Sequence, residues 1–120
     1  MEKSMALFLA TLLHSGTNTH FQHWATTSYA QHKTLGKFYS NIIELTDQLA
    51  EAYFGCYGQI KNFPDIYHLP KGTPLSYLES LQRFVKDARN DLPTESQLVQ
   101  LVDNIAQEID TTIYMLRFKS

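Results

Sequence analysis

The pattern of apolar and polar residues along the chain predicts four helices and no strands. Over most of its length, apolar residues recur every three or four positions, which is the spacing of one face of an α-helix. The clearest run is the last one: Leu98, Leu101, Val102, Ile105, Ile109, Ile113 and Leu116. The sequence therefore predicts an all-α fold, with residues 1–120 forming a single domain.

The first helix is predicted from Met1 to about Thr27. Its apolar positions are Leu9, Leu12, Leu13, Phe21 and Trp24. Gly16 weakens the middle of this helix, because a glycine costs about 1 kcal/mol relative to alanine in a helix. The pattern leaves a break near Gly16 as the alternative to one continuous helix. Trp24 is expected to pack in the core or in an interface.

The second helix follows a turn at residues 25–31 and runs to about Tyr57. Thr26, Thr27 and Ser28 offer hydroxyls for its N-cap, and Gly55 and Gly58 are stop signals. One face carries an apolar core stripe: Leu35, Phe38, Tyr39, Ile42, Leu49 and Tyr53. Beside it lies a second stripe: His32, Gly36, Ile43, Asp47, Glu51 and Phe54. A flank that mixes apolar and polar residues in this way is typical of a surface that meets a partner.

Residues 56–72 are predicted to form a long irregular connection, because they contain Pro64 and Pro70. Thr73 and Pro74 then begin the third helix. The inward positions of that helix are Leu75, Leu78, Leu81, Val85 and Ala88. After a tight turn at residues 90–93, Thr94 with Gln97 predicts a capping box for the fourth helix. Connections that are short, long and short are typical of a ferritin-like four-helix bundle with one long crossover between its second and third helices.

Composition narrows the possible partners. The formal net charge of −2 gives no electrostatic reason to bind nucleic acid. The apolar run at residues 5–13 is too short to span a bilayer. Cys56 is the single cysteine and cannot form an intrachain disulfide, which favours a reducing, cytoplasmic compartment. We therefore expect neither nucleic acid nor a membrane as a partner.

The residues that could bind a metal are concentrated in positions 20–51. This stretch holds three of the five histidines together with Asp47 and Glu51, and imidazoles and carboxylates suit Fe(II), Mn(II) or Zn(II). His32 and Asp47 lie fifteen residues apart, which corresponds to about 22 Å along one helix. One chain therefore cannot place both on one metal ion. Two copies packed antiparallel about a two-fold axis could bring His32 of one copy to Asp47 and Glu51 of the other.

Three features of this stretch occur together in a known family. They are the H-W pair at His23, the H-x-x-L-x-x-F pattern from His32, and the D-x-x-x-E pair Asp47 and Glu51. In these features the chain resembles the ferroxidase segment of the Dps proteins, the ferritin-like, starvation-induced DNA-protection proteins. The resemblance implies a homo-oligomer, a closed shell of twelve in that family, which binds iron and oxidises Fe(II) between subunits. His23 and His32 would come from one subunit, and Asp47 and Glu51 from its neighbour, one bridging and one terminal.

The chain also differs from that family in three respects. Gly36 stands one turn after His32, where the family usually has an acid. The spacing from His23 to His32 is three residues shorter than usual, so His20 is the alternative to His23 as the first ligand. The chain is shorter than a typical Dps subunit, and in this it is similar to small ferritin-like proteins encoded by bacteriophages. A second hypothesis is therefore a non-catalytic interaction or structural protein, for example a phage accessory factor, that has lost the iron chemistry.

Overall fold

The computed structural model describes all 120 residues and contains four α-helices and no strand. The helices are α1 (Glu2–Ala25), α2 (Tyr29–Tyr57), α3 (Pro74–Ala88) and α4 (Ser96–Phe118), and a 3₁₀ helix (Arg89–Asp91) lies between the last two. The prediction of an all-α fold is confirmed. None of the helices combines the length and the apolar character that crossing a bilayer requires.

One apolar core joins the four helices. Its largest fully buried members include Phe8, Leu12, Leu35, Phe38, Leu49, Leu78, Leu98 and Ile105. The predicted inward stripes of α3 and α4 are confirmed by the burial of residues such as Leu81, Val85 and Ile109. α1 packs against α2 and α3, and α4 packs against the same two helices. Burial of these stripes, rather than helix propensity, is the main source of stability in helices of this length.

α1 is one continuous helix, and the break considered at Gly16 does not occur. Gly16 is buried against α2, and a Cβ atom at this position would lie 3.0 Å from Cγ1 of Ile43. The missing side chain therefore lets the two helix backbones approach closely. The packing gained by this approach compensates for the low helix propensity of glycine.

The apolar residues of α1 lie on two faces. Leu9 and Leu12 are buried in the core, whereas Leu13 and Phe21 are each 43% exposed. Trp24 is 66% exposed, which excludes the core as its place in this chain. The sequence pattern alone did not separate these two faces, because both are apolar.

The predicted caps of α2 and α3 are confirmed. The Ser28 hydroxyl accepts a hydrogen bond from the backbone N–H of Gln31, and the Thr73 hydroxyl accepts one from Ser76. α2 passes through Gly55 and ends at Tyr57, where Gly58 has a positive φ of 94°. Residues with φ in this range are most often glycines, so Gly58 is the effective stop signal.

The predicted capping box of Thr94 and Gln97 is wrong. α4 begins at Ser96, and the preceding Glu95 makes no side-chain cap. Instead, the Glu95 carboxylate accepts a hydrogen bond from the hydroxyl of Tyr57 at the end of α2. This bond raises the pKa of Tyr57 to about 12 and lowers the pKa of Glu95. A bond between helices has thus replaced the local cap.

The connection between α2 and α3, residues 58–73, is held near both of its ends. Ile60 is buried in the core close to the start. Near the other end, the ring of Tyr67 contacts His14 of α1 edge to face, with 4.9 Å between the ring centroids. Residues 61–66 between these anchors are exposed.

A buried asparagine of α1 joins this connection to α3. Asn18 Oδ1 accepts a hydrogen bond of 2.5 Å from the Tyr67 hydroxyl, and Asn18 Nδ2 donates to the Tyr77 hydroxyl at 3.0 Å. The same Nδ2 lies 3.4 Å from the carbonyl oxygen of His68. Burial raises the pKa of Tyr77, and the hydrogen bond from Asn18 opposes this shift. One polar side chain therefore ties together three segments that are far apart in sequence.

We predict that Asn18→Ala lowers the free energy of unfolding by about 2 kcal/mol, because it leaves the half-buried Tyr77 hydroxyl without its partner and also removes the bond from the Tyr67 hydroxyl. Urea denaturation followed by circular dichroism measures the change. Asn104→Ala is the control, since Asn104 makes only an exposed bond to Gln100 on the same helix and its loss should cost less than about 0.5 kcal/mol. Equal losses in the two variants would contradict the assigned role of Asn18.

Candidate functional site

The turn between α1 and α2 brings His23 and His32 together. Their rings are stacked with 3.7 Å between centroids and 16° between planes. His23 Nδ1–H donates to the carbonyl oxygen of His32 at 2.6 Å, and His32 Nδ1–H donates to the carbonyl oxygen of His23 at 2.9 Å. Each histidine therefore fixes the backbone of the helix that carries the other. We call this pair the histidine clasp.

The clasp determines which ring nitrogens remain free. A carbonyl oxygen can only accept a hydrogen bond, so the proton of each neutral ring must be on Nδ1. The lone pair of each Nε2 is then left for a ligand. A histidine that binds a metal through Nε2 while Nδ1–H donates to a backbone carbonyl is a common arrangement in metalloproteins.

The clasp also satisfies the end of α1. The last four carbonyl groups of a helix have no partner within the helix. The carbonyl of His23 is one of these, because α1 ends at Ala25, and it accepts its bond from the ring of His32. The clasp consequently has a structural role whether or not a ligand binds.

Gly36 makes room for the ring of His23. A Cβ atom at position 36 would lie 3.0 Å from Cε1 and 3.1 Å from Nδ1 of His23. The Cβ atom of an acidic side chain at position 36 would thus already be in close contact with the imidazole of His23. The glycine that occupies the place of an expected acid is explained by this contact.

His20 is close to the clasp but does not pair with His32. Its ring is stacked on Tyr39 with 3.9 Å between centroids, and the ring of Trp24 is tilted against it with 4.5 Å between centroids. The centroids of His20 and His23 are 6.1 Å apart. Of the two candidates for the first ligand, His23 is therefore the one whose ring contacts His32.

Asp47 and Glu51 lie further along α2, and both are exposed. The continuous helix separates Asp47 from His32 by about 22 Å, as the spacing predicted. No group of three or more His, Cys, Asp or Glu side chains is close enough within the chain to hold a metal ion. The structure of one chain thus brings His23 and His32 together and leaves the two carboxylates apart from them.

The clasp lines an open cleft of 560 Å³ between the outer side of α2 and α4. The other residues of the cleft are Lys33, Thr34, Gly36, Lys37, Glu108, Thr111, Thr112 and Met115. On its far wall, the Glu108 carboxylate accepts hydrogen bonds of 3.3 and 3.4 Å from Asn41 of α2. Glu108 is therefore engaged between helices, and its carboxylate faces Asn41 rather than standing free.

The sequence pattern predicts other roles for two residues of the site. It places Tyr39 in the core, but Tyr39 is only half-buried and stacks on His20. It places Gly36 where a ligand is expected, whereas Gly36 accommodates the ring of His23. A glycine inside an otherwise good helix, close to a short turn, is the signal that could have indicated a close contact.

Comparison with known proteins gives one match. The model of a family described as a family of unknown function (DUF5856) matches residues 23–116, which is most of the chain. No curated protein and no solved structure matches. The matched region begins at His23 and includes the clasp, Asp47 and Glu51.

We predict opposite effects for two glycine substitutions in α2. Gly55→Ala should raise the free energy of unfolding by about 0.5 kcal/mol, because nothing lies within 4 Å of its added Cβ and alanine favours the helix. Gly36→Ala should lower it by about 1 kcal/mol, because the gain in propensity is smaller than the cost of displacing the His23 ring, which bonds to the carbonyl oxygen of His32 and stacks on its ring.

Urea denaturation measures both glycine variants, and nitrogen NMR of the imidazoles reports whether Nδ1 keeps its proton. In Gly36→Ala we expect the distinctive Nδ1–H signal of His23 to be lost or shifted, while Gly55→Ala retains it. If Gly36→Ala stabilises the protein as much as Gly55→Ala does, the clasp is not as tightly held as its geometry indicates.

Proposed function

The chain belongs to the DUF5856 family, whose function is not established, and we propose that it binds Fe(II) and oxidises it at a site shared by two subunits. The clasp residues His23 and His32 supply two imidazoles from one subunit. Asp47 and Glu51 of a second subunit supply the carboxylates. The observation that carries this proposal is the pair of Nε2 atoms left free by the clasp.

The donor set fits iron. Imidazole nitrogens and carboxylate oxygens are ligands that suit Fe(II), and carboxylates favour the higher charge of Fe(III). Asp47 and Glu51 are four residues apart on one face of α2 and have no hydrogen bond or ion pair within the chain. Two like charges at this spacing destabilise a helix by about 0.2–0.5 kcal/mol, so helix stability does not explain the pair.

The electron balance requires an oxidant, for which we propose hydrogen peroxide. Two Fe(II) ions each give up one electron and become Fe(III). One peroxide molecule accepts both electrons together with two protons and leaves as two water molecules. In the proposed site, Asp47 and Glu51 lower the free energy of the product ions, one as a bridging and one as a terminal ligand. The Nδ1–H bonds of the clasp keep the two imidazoles oriented.

The ferritin-like bundle with a long crossover is part of this proposal. The end of α2 lies beside the start of α4, since Tyr57 bonds to Glu95. The start of α3 lies at the opposite end, since Tyr77 bonds to Asn18 while Phe84 stacks on Phe8 nearer the start of α1. These contacts support a connection at residues 58–73 that runs the length of the bundle, as in the ferritin-like arrangement.

A second candidate is a non-catalytic interaction or structural protein built on the same helices. Two observations favour it. The ring of His23 fills the space that an acidic side chain at position 36 would need, and the clasp already provides a hydrogen bond to the end of α1. Under this alternative the histidines only fix the turn between α1 and α2. Iron oxidation that depends on Asp47 and Glu51 distinguishes the two candidates.

We predict that the double variant Asp47→Asn/Glu51→Gln oxidises Fe(II) at least tenfold more slowly than the wild type, because each amide replaces a charged ligand. Ferric absorbance after adding peroxide to anaerobic protein and Fe(II) measures the rate. Glu44→Gln is the control, since Glu44 is an exposed acid of the same helix outside the second stripe. A double variant as fast as the wild type would exclude the proposed site.

Mixing subunits tests whether the site is shared. His32→Gln and the double variant should each be inactive alone, because each removes ligands from every site. After subunit exchange in an equimolar mixture, half of the dimers contain one of each and hold one intact site. We therefore expect about a quarter of the wild-type rate to return. No recovery, with exchange verified by mass, would contradict a site formed between two subunits.

A further inference from the structure

We propose that the outer face of α1, together with the neighbouring stripe of α2, binds the same face of a second copy of this chain about a two-fold axis. This inference rests on the proposed function, which requires a second subunit, and it adds the surface and the register. We define the α1 face as Leu13, Thr17, Phe21 and Trp24, which are all exposed. These four residues fall within about 80° around the helix.

The α1 face is apolar in a stretch without formal charge. Residues 4–32 contain no Asp, Glu, Lys or Arg. Exposed helix surfaces normally carry charged residues, and a contiguous apolar surface on a helix marks a place where another molecule binds. An interfacial membrane helix would need Lys or Arg beside its apolar face, and this stretch of α1 has neither.

The lack of charge favours a second copy as the occupant. A two-fold axis sets a surface against itself, so like charges that face their own copies repel. The α1 face carries no charge and can pair with itself without this electrostatic cost. The acids Glu44, Asp47 and Glu51 lie on the outer side of α2, where an axis level with residues 40 and 41 sets them against residues 30–37 of the second copy, a segment with two lysines and no acid.

The register of the iron site determines where the axis passes. In an antiparallel pair of helices, residues that are equally far from the two-fold axis on its two sides face one another. His32 must face a point between Asp47 and Glu51 of the second copy, which is position 49. The axis therefore lies midway between positions 32 and 49, level with residues 40 and 41 of α2. Ser40 at this point is exposed and small, so it does not obstruct close packing.

The same axis can be transferred to α1 through observed contacts. His20 stacks on Tyr39, and Gly16 lies against Ile43, so the two helices run antiparallel side by side. An axis level with residues 40 and 41 of α2 is therefore level with residues 18 and 19 of α1.

Rotation about this axis pairs the exposed apolar side chains. Trp24 of one copy becomes level with Leu13 of the other. Phe21 becomes level with positions 16 and 17, where Gly16 is buried against α2 of its own chain and Thr17 is exposed. Each bulky ring thus faces a smaller exposed side chain, Leu13 or Thr17. The carboxylate spacing on α2 and the apolar spacing on α1 are independent features of the sequence, and both are satisfied by one axis.

The available area is at the lower end of what a stable dimer needs. With the axis at these levels, residues 12–25 of α1 and residues 29–52 of α2 face their own copies, over lengths of about 21 Å and 36 Å; at a width of about 10 Å this gives roughly 570 Å² per subunit. Stable interfaces begin at about 600 Å² on each partner. The α1 face and the α2 stripe together approach this size, whereas neither helix alone does.

Cross-linking tests the register in a Cys56→Ser background, where each variant carries one cysteine. Thr17→Cys and Ser40→Cys should form disulfide-linked dimers on mild oxidation, because both positions lie within about 5 Å of the axis level. Neither substitution removes an apolar side chain of the proposed interface. Thr111→Cys is the matched control, since it is exposed on α4 and should not cross-link.

Native mass tests the face itself. Sedimentation equilibrium should show wild-type protein as a dimer or a multiple of dimers, and Phe21→Glu should raise the dissociation constant at least 100-fold. Tyr114→Glu introduces the same charge at an exposed aromatic residue of α4 and should leave the mass unchanged. A monomeric wild type at tens of micromolar, or equal cross-linking of Thr111→Cys, would overturn the inference.

The outcomes separate this inference from the proposed function. Dimers with the expected cross-links but without iron oxidation keep the interface and exclude the enzyme. Oxidation that depends on Asp47 and Glu51, in an assembly in which Thr17→Cys and Ser40→Cys do not cross-link, keeps the enzyme and excludes this interface.

Discussion

The exchange of hydrogen bonds between His23 and His32 fixes the turn on which the rest of the site depends. Each ring bonds to the backbone of the opposite helix, so α1 and α2 cannot slide along one another without breaking both bonds. Gly16 and Gly36 have no side chains, so α1 and α2 can pack closely at two positions along their length, where Gly16 contacts Ile43 and Gly36 contacts His23. The position of every other candidate residue follows from this alignment, because α1 and α2 are continuous helices that extend it along their lengths.

Most of the fold could be predicted because it depends on local spacing. The apolar periods of α3 and α4, the caps at Ser28 and Thr73 and the irregular connection all follow from neighbouring residues. The start of α4 could not be predicted, because Glu95 is bonded to Tyr57, a residue 38 positions away. A pattern within one segment carries no information about a competing partner on another helix.

The candidate site was predictable in its parts but not in its arrangement. The spacing of His32 and Asp47 was sufficient to show that one chain cannot bring them together. The stacking of His23 on His32 and the role of Gly36 were not predictable, because both depend on the angle at which α1 meets α2. The exposure of Trp24 could not be predicted for a related reason. Apolar residues recur at the same spacing on the buried face and on the exposed face of a helix, so the pattern does not show which face Trp24 lies on.

The connection at residues 58–73 divides the chain into two helical hairpins that share one core. It is anchored by Ile60 and by Tyr67, and the residues from 61 to 66 between these anchors are exposed. Cleavage of the backbone within that exposed segment would remove no side chain from the core. The two fragments would then remain associated as a non-covalent heterodimer, and the same heterodimer would form from the two hairpins produced as separate polypeptides.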